Sequence, residues 1–259
     1  PLIQTRAYTG VDGRDESRSS RHVRTPEWMG GMSPVSAIVP AAGSGRRFGS
    51  KMPKLFFEVE RKPILFYTLK NLSKAYPFKE IFVAANPDTF KEIEKIGSAL
   101  GLRSLRLVRG GATRAESVRN ALLEISAGWA LVHDAARPLV DRAIVSRALK
   151  AARLGAGAIS AIPATATVKR VGPGGVIFRT EDRKTLYLAQ TPQVFKKEDL
   201  LGRYRQLGKK AFKLTDEASF FDGTDTKVRV AEGSVSNLKI TTLEDIELFR
   251  FYLKRGKRG

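Results

Sequence analysis

The chain has 259 residues, and 42% of them are hydrophobic, which is enough for one large α/β domain or two small ones. The absence of Cys excludes disulfides, Cys-ligated zinc, iron–sulfur clusters and thiol nucleophiles. The two His residues are His22 and His133, so a Ser-His-Asp hydrolase or a multi-His metal site would depend on His133 alone. No apolar run approaches the ~20 residues that span a bilayer, so no membrane partner is expected.

The formal net charge is +20. Residues 1–32 contain five Arg and four acidic residues, so the excess of cations belongs to the rest of the chain. A basic surface attracts anions in general, which leaves nucleotides, phosphorylated metabolites, nucleic acid and acidic membranes open as partners. The Lys and Arg are spread along the chain, apart from the basic run at 254–258. This distribution favours a solvated basic surface, and no nucleic-acid partner is expected.

Residues 1–32 are rich in Arg, Ser, Gly and Asp and show no apolar period. We expect them to form a disordered extension or a tail added to the protein, with Met32 as the natural start. The folded domain is then expected over residues 33–259.

From Val35 onward, short β-branched runs alternate with helical periods, the pattern of an α/β fold with a mostly parallel sheet flanked by helices. The predicted strands are 35–40, 80–85, 104–108, 129–133 and 156–162. The predicted helices are 64–74, 89–100, 114–126, 142–154 and 243–253. Thr113 with Glu116, and Thr241 with Glu244, fit capping boxes at two of the helix starts.

The alternation stops near Thr167. Two short extended runs, 168–171 and 176–180, flank a Gly-Pro-Gly-Gly turn and predict a β-hairpin. Such a hairpin has no place in the layers of a doubly wound sheet. We therefore expect it to project as an arm, at about 165–187, that packs on a partner surface.

The strongest motif directly follows the first predicted strand. It comprises Pro40, Ala41, Ala42, Gly43, Ser44 and Gly45 and is followed by Arg47 and Lys54. Small residues let the backbone approach phosphates closely and offer its N–H groups, while Arg47 and Lys54 supply cationic charge. The glycine spacing matches neither the dinucleotide fingerprint nor a P-loop. The alternative is an ordinary glycine-rich turn with two solvated cations, but Pro-Lys at this distance favours a phosphate-binding role.

A second motif, at 133–138, ends the fourth predicted strand. Ligands of open parallel sheets bind outside the carboxyl ends of the strands, so both motifs are expected at one edge. Asp134 could hold Mg²⁺ bridging phosphate oxygens, or it could only cap the next turn and pair with Arg137. For His133, a packed and hydrogen-bonded role is favoured over that of a base.

Two further features suggest contacts to a ligand. Gly110 and Gly111 precede a capped helix start and suit a base or phosphate contact, with Ser117 as a hydrogen-bond partner, although a simple turn and cap would also explain them. Lys239 lies in a strand-like run, where a cation is either aimed at a site or exposed on an edge strand.

Together these motifs resemble one known family. Pro-Ala-Ala-Gly-x-Gly-x-Arg with Pro-Lys, Gly-Gly-x-x-Arg-x-x-Ser, His-Asp-Ala-Ala-Arg-Pro, Thr-Pro-Gln, Thr-Asp-Glu-Ala and Asn-x-Lys-Ile-Thr occur in the order seen in 2-C-methyl-D-erythritol 4-phosphate cytidylyltransferases of the isoprenoid precursor pathway. The resemblance covers about 35–253. Because the chain ends just after the last predicted helix, it resembles the monofunctional form more than the form fused to a later cyclase.

The resemblance implies a Rossmann-like nucleotidyltransferase fold, a homodimer joined through the arm, and Mg²⁺-dependent transfer of CMP from CTP to methylerythritol phosphate. It implies a cytoplasmic location in a bacterium or the plastid stroma in a eukaryote. The implied catalytic residues are Arg47, Lys54 and Lys239. The implied nucleotide-binding residues are Pro40, Ala41, Ala42, Gly43, Ser44, Gly45, Gly110, Gly111, Ser117, Asp134 and Ala135, with Asp134 near the metal. The implied acceptor contacts are Arg137, Thr167, Arg183, Thr191 and Thr215, with Arg183 reaching across the dimer.

Three positions depart from the family pattern. Leu55 stands where Gln is frequent, Ala112 where an acid is frequent, and Ala166 where Asp is common. The last two bear on the detailed cytosine and acceptor contacts rather than on the reaction.

Two alternatives remain open from the sequence. A related cytidylyltransferase acting on ribitol 5-phosphate resembles the chain in fold and loop but typically differs in the motif at 133–138. A non-enzymatic basic protein that binds RNA or an acidic partner is suggested only by the net charge. Turnover of CTP with each acceptor separates these possibilities.

Overall fold

The structure is a computed structural model that describes residues 6–7, 34–43 and 53–256. Its strands are, in chain order, β1 (Arg6–Ala7), β2 (Val35–Pro40), β3 (Glu58–Val59), β4 (Lys62–Pro63), β5 (Ile81–Ala85), β6 (Leu105–Arg109), β7 (Trp129–Val132), β8 (Gly157–Pro163), β9 (Lys169–Val171), β10 (Ile177–Thr180), β11 (Tyr187–Lys196) and β12 (Val228–Glu232). Its α-helices are α1 (Ile64–Ala75), α2 (Phe90–Ala99), α3 (Arg114–Glu124), α4 (Arg142–Ala152), α5 (Lys197–Leu207) and α6 (Glu244–Gly256). Most of the predicted extension lies outside the described residues.

An eight-stranded sheet in the order β1-β6-β5-β2-β7-β11-β8-β12 forms the centre of the fold. Strands β6, β5, β2 and β7 are parallel neighbours, β11 runs antiparallel between β7 and β8, and β12 is parallel to β8. The mostly parallel α/β sheet predicted from the sequence is confirmed. Because β5 and β6 lie on one side of β2 and β7 on the other, the chain order reverses at β2. The carboxyl ends of β2 and β7 therefore border the crevice where such sheets bind ligands.

Alternate side chains of β2 enter two different core clusters. Val35, Ala37 and Val39 pack with residues of α1, α2 and α4, whereas Ile38 packs with residues of α3 and α5. This alternation follows from the two-residue period of a strand that is covered by helices on both faces. Within the described residues, no helix is long and apolar enough to cross a bilayer.

Helix α6 belongs to a third apolar cluster near the end of the chain. Its Ile246 and Phe249 pack with Val59, Ile64 and Ile240. The Ile240 amide also donates to the carbonyl oxygen of Ala136 at 2.9 Å. This cluster therefore fixes the backbone beside Lys239 against the loop that follows β7.

The predicted hairpin is confirmed. Strands β9 and β10 pair antiparallel around a short 3-10 turn at Pro173–Gly175. The arm is exposed along its length, and the exposed fractions of Val176, Ile177 and Phe178 are 68%, 61% and 75%.

The structure contains elements that were not predicted, among them the short strands β1, β3 and β4 and the helix α5, and it differs from the predictions in other places. Strands β11 and β12 were not predicted, and Pro192 explains the first because a proline inside a run argues against a strand. The strand-like run around Lys239 is a loop.

The carboxylate that caps the turn before α6 is Asp245, not Glu244 as predicted. Asp245 accepts from the amide of Thr241 at 2.7 Å. The cap at Thr113 is as predicted, because its hydroxyl accepts from the Glu116 amide.

Gly157 and Gly202 provide a matched pair of glycine tests. A Cβ on Gly157 would lie 2.3 Å from Phe195 Cδ1 and 2.7 Å from the Val194 carbonyl oxygen, whereas a Cβ on Gly202 in α5 meets nothing within 4 Å. We expect Gly157→Ala to lower the free energy of unfolding by about 1–3 kcal/mol through overpacking. We expect Gly202→Ala to raise it by about 0.5–1 kcal/mol through helix propensity. Urea unfolding of both variants checks this, and equal effects would contradict it.

Candidate active site

A cleft of about 600 Å³ opens at the carboxyl ends of β2 and β7. Its walls are the segments 40–43, 111–114 and 134–136, together with Lys54 and Lys239. The segment after β2 enters the cleft in a fixed path, because the Ala41 amide donates to the Ala84 carbonyl oxygen at 2.7 Å. Two parallel strands and the start of α3 thus position most of the cleft wall.

The turn at Gly110 and Gly111 packs directly against the segment after β2. A Cβ on Gly110 would lie only 2.3 Å from the Ala42 Cβ and 3.1 Å from Ser117 Oγ, so this close approach requires glycine. Ser117 is buried, and its hydroxyl accepts from the Gly111 amide at 3.0 Å and donates to the Thr113 carbonyl oxygen at 2.9 Å. Ser117 therefore holds the shape of the turn.

The amide groups of this turn are all used within the protein. Those of Gly110 and Gly111 donate to the Ala85 carbonyl oxygen and to Ser117, and the Ala112 amide donates to Glu116 Oε2 at 2.7 Å. The backbone groups of the turn that remain for a bound base are its carbonyl oxygens, which accept hydrogen bonds.

A network of ion pairs surrounds Asp134 on the cleft wall. Its Oδ1 accepts from Arg114 Nε at 2.9 Å, and its Oδ2 accepts from Lys239 Nζ at 2.8 Å. Arg137 Nε lies 3.6 Å from the same Oδ2. Arg114 in turn donates to the buried carboxylate of Glu217 at 2.8 Å. The cleft therefore presents cations around one fixed carboxylate.

These cations control the ionisation of Asp134. Burial by itself raises the pKa of this carboxyl, but Arg114, Lys239 and Arg137 outweigh that effect and hold its pKa well below the usual range. Asp134 is therefore ionised throughout the neutral pH range.

Lys54 and Lys239 are both connected to the backbone segment around Ile240. Lys54 Nζ donates to the Ile240 carbonyl oxygen at 2.7 Å. Because Ile240 is held by the apolar cluster of α6, the Lys54 ammonium and the backbone next to Lys239 have a fixed position on the wall of the cleft.

A hydrogen-bonded chain supports Asp134 from below. The Thr191 hydroxyl accepts from the Asp134 amide at 3.0 Å and contacts His133 Nδ1 at 3.1 Å. His133 Nε2 lies 3.0 Å from the Arg137 carbonyl oxygen, and Arg137 donates to the Asn237 carbonyl oxygen at 2.7 Å. Both Thr191 and His133 are buried, so the predicted packed role of His133 is confirmed.

The structure brings together many of the residues predicted for the site. Within the described residues, those that line the cleft are Pro40, Ala41, Ala42, Gly43, Lys54, Gly111, Ser117, Asp134, Ala135 and Lys239. Gly110, Arg137 and Thr191 lie directly behind this wall. Ser44, Gly45 and Arg47 lie outside the described residues. Thr167, Arg183 and Thr215 are exposed and do not line the cleft of their own chain.

Sequence reasoning missed three residues that organise the site. Arg114, Glu217 and Asn237 were noted only as members of motifs, with no role in the site assigned to them. Asn237 is fully buried, and its side chain donates to the Thr191 carbonyl oxygen at 2.8 Å. The sequence offered one signal for Glu217 and Asn237, namely that an acid and an amide occur inside short motifs. Their partners could not be identified from it, because they are about 50 to 100 residues away along the chain.

The doubly wound sheet, the glycine-lined crevice and its cluster of cations define a nucleotidyltransferase. A family model for 2-C-methyl-D-erythritol 4-phosphate cytidylyltransferase (IspD) matches residues 35–255. The chain belongs to this family.

Relatives and solved structures agree with this assignment. The chain is 38% identical to the 2-C-methyl-D-erythritol 4-phosphate cytidylyltransferase of Symbiobacterium thermophilum, over 87% of this chain and 95% of that protein. It is 35% identical to a bifunctional IspD/IspF enzyme of Desulfotalea psychrophila, over 86% of this chain and 57% of that protein. The crystal structure of 4-diphosphocytidyl-2C-methyl-D-erythritol synthase from Anaerococcus prevotii superposes with a TM-score of 0.76 at 31% identity, covering 85% of this chain and 98% of that one.

The buried His133 makes stability depend on pH. Burial lowers its pKa to about 4 from the ordinary 6.5, so the unfolded chain binds the proton more tightly than the folded chain does. Its contribution is complete above about pH 6.5 and is lost as the pH falls to about 4, at a cost of about 3 kcal/mol in the free energy of unfolding. We expect His133→Gln to remove this slope and His22→Gln to keep it. Urea unfolding between pH 7 and 4 checks this, and an unchanged slope in His133→Gln would refute it.

Proposed function

We propose that the protein transfers CMP from CTP to 2-C-methyl-D-erythritol 4-phosphate and releases pyrophosphate. The main support for this proposal is the set of cations around Asp134. They lie where the strand order of the sheet reverses, and the chain belongs to the family of these enzymes. The acceptor phosphate oxygen attacks the α-phosphorus in line, the new P–O bond forms, and the bond to the β-phosphate oxygen breaks. Because a phosphate nucleophile is already ionised, the site needs no general base. The neutral, buried His133 is consistent with this.

In this mechanism Lys54 and Lys239 stabilise the negative charge that grows on the triphosphate. Both line the cleft and are held there by fixed partners, Lys54 by the Ile240 carbonyl oxygen and Lys239 by Asp134, and such preorganised cations make electrostatic stabilisation effective. Lys239 moves from Asp134 to a phosphate oxygen when the substrates bind. Arg47 is assigned the same role on the basis of the family motif.

The turn at 110–112 reads the cytosine. Its amides are used internally, so its carbonyl oxygens accept from the exocyclic amino group of cytosine. Uracil carries an acceptor at that position and would face these carbonyl oxygens unfavourably. A purine would be disfavoured by its larger size in a site shaped for a pyrimidine.

The chemistry of the cleft fits Mg²⁺ carried mainly by the triphosphate. Among the described residues no group of three or more His, Cys, Asp or Glu is placed to hold a metal, and Asp134 is the carboxylate on the cleft wall. Mg²⁺ is commonly held by one or two carboxylates plus substrate phosphates, and Asp134 is ionised at neutral pH. Asp134 would hold the ion, which would neutralise phosphate charge when bound.

The arm forms a homodimer that completes the acceptor site. An isolated hairpin is marginally stable in water, and the exposed apolar side chains at 176–178 need cover from another subunit. Thr167 and Arg183 then serve the neighbouring cleft, with the guanidinium of Arg183 on the acceptor phosphate. Thr191 and Arg137 support this site from behind Asp134, and Thr215 is assigned to acceptor binding on the basis of the family motif.

Turnover tests the proposed reaction directly. We expect pyrophosphate release from CTP, Mg²⁺ and methylerythritol phosphate, with much lower rates for ribitol 5-phosphate as acceptor and for UTP, ATP or GTP as donor. Lys54→Ala and Lys239→Ala should lower kcat by ~100 to 1,000-fold with a smaller effect on the acceptor KM. Lys95→Ala, on the exposed face of α2, is the control. Equal rates with UTP, or a near wild-type kcat in both lysine variants, would refute the assignment.

Mixing two inactive variants tests the role of Arg183. If Arg183 serves the partner's cleft, a mixed dimer of Arg183→Ala and Lys54→Ala subunits has one cleft that lacks both groups and one intact cleft. Activity should then recover to about half of wild type per mixed dimer. Subunit exchange is verified with differently tagged subunits. Exchange without recovery would show that Arg183 acts in its own subunit or not at all.

A further inference from the structure

Arg114 joins two acidic side chains, Asp134 and Glu217, that are 83 residues apart along the chain. Its Nε donates to Asp134 Oδ1 at 2.9 Å, and its Nη1 donates to both carboxylate oxygens of Glu217 at 2.8 and 2.9 Å. The Glu217 side chain is 0% exposed and does not line the cleft. Nothing in the reaction as described uses this residue.

The backbone around Glu217 is itself fixed. Its neighbour Asp216 accepts from Gln193 Nε2 at 2.8 Å and from the Ser219 amide at 3.1 Å, which ties the turn to β11. A planar guanidinium that is bound on two sides has little freedom to rotate. Glu217 therefore determines the direction in which Arg114 meets Asp134.

The two strongest partners of Asp134 differ in how easily they can leave. Lys239 is a flexible side chain that is 41% exposed, whereas Arg114 is 25% exposed and held by Glu217. If Lys239 moves to a phosphate, Asp134 keeps a charged partner and its orientation. A buried carboxylate that lost its last cation would be strongly destabilised.

We propose that Glu217, acting through Arg114, is a positioning residue for Asp134. The Glu217–Arg114 pair stays with Asp134, as does the more distant Arg137, and Lys239 is the partner that exchanges. This inference rests on the proposed CMP transfer, in which Lys239 and Asp134 act on the triphosphate.

Four variants test this: Glu217→Gln, Arg114→Gln, the double variant, and the control Glu80→Gln. Glu80 accepts from Ser36 and Ser126 just before β5, at the opposite edge of the sheet. The measurements are kcat, the KM for CTP, and the melting temperature by circular dichroism, with activities taken well below melting. We expect Glu217→Gln to lower kcat by about 10 to 100-fold while the KM for CTP changes by less than about threefold, because a misplaced group acts on the transition state.

The double variant separates positioning from stability. Arg114→Gln leaves Glu217 buried and unpaired, so its melting temperature should fall by on the order of 10 °C. Adding Glu217→Gln removes that unpaired charge and should restore much of the melting temperature without restoring kcat. Recovery of kcat together with stability, or kcat losses that simply multiply, would overturn the positioning role.

The remaining outcomes also test the positioning role of Glu217. If Arg114→Gln does not fold, Glu217→Gln and the double variant are compared with Glu80→Gln, and a control-like kcat in either would overturn the inference. If the wild type and Glu80→Gln both fail to turn over CTP with the acceptor, the proposed function falls and this inference with it. Turnover by those two proteins, with no loss in the Glu217 variant, would overturn the inference alone.

Discussion

Asp134 is a buried carboxylate that stays ionised because three cationic side chains surround it. Each of those cations comes from a different part of the chain: the start of α3, the loop after β7, and the loop before α6. A buried charge without partners would cost several kcal/mol, so the parts of the chain that supply its partners must all be in place together. The geometry of the cleft therefore depends on bringing these cations to the Asp134 carboxylate.

The topology of the sheet makes this convergence possible. Strands β2 and β7 are parallel neighbours, so the loops that leave them start side by side at one edge. The glycine turn after β6 reaches the same edge because Gly110 can approach Ala42 closely. The loop before α6 is held there by apolar packing of Ile240, not by strand pairing. The strand order of the sheet and the packing of the core together bring these cations close to each other, although they are far apart in the sequence.

Structural features that depend on a short-range sequence pattern could be predicted from the sequence. The strand alternation around Val35, the cap at Thr113 and the hairpin turn are all short-range features, and each was found as expected. Strand β11 was not predicted because Pro192 interrupts its pattern. The role of Glu217 was not predictable because its partner is Arg114, 103 residues away. Long-range pairing of buried charges has no period that a single sequence can reveal.

Strand β11 connects the surface of the arm with the floor of the cleft. It begins at Tyr187, which is half exposed beside the arm, and four residues later it carries Thr191, whose hydroxyl holds the Asp134 amide. The same strand is clamped between β7 and β8, with a register shift between Ala189 and Gln193 that re-aims the intervening side chains. This irregular stretch includes Thr191, so the same register shift sets the position of the hydroxyl that holds the Asp134 amide. The sheet thus joins the exposed arm to the carboxylate around which the cleft is built through only four residues of one strand.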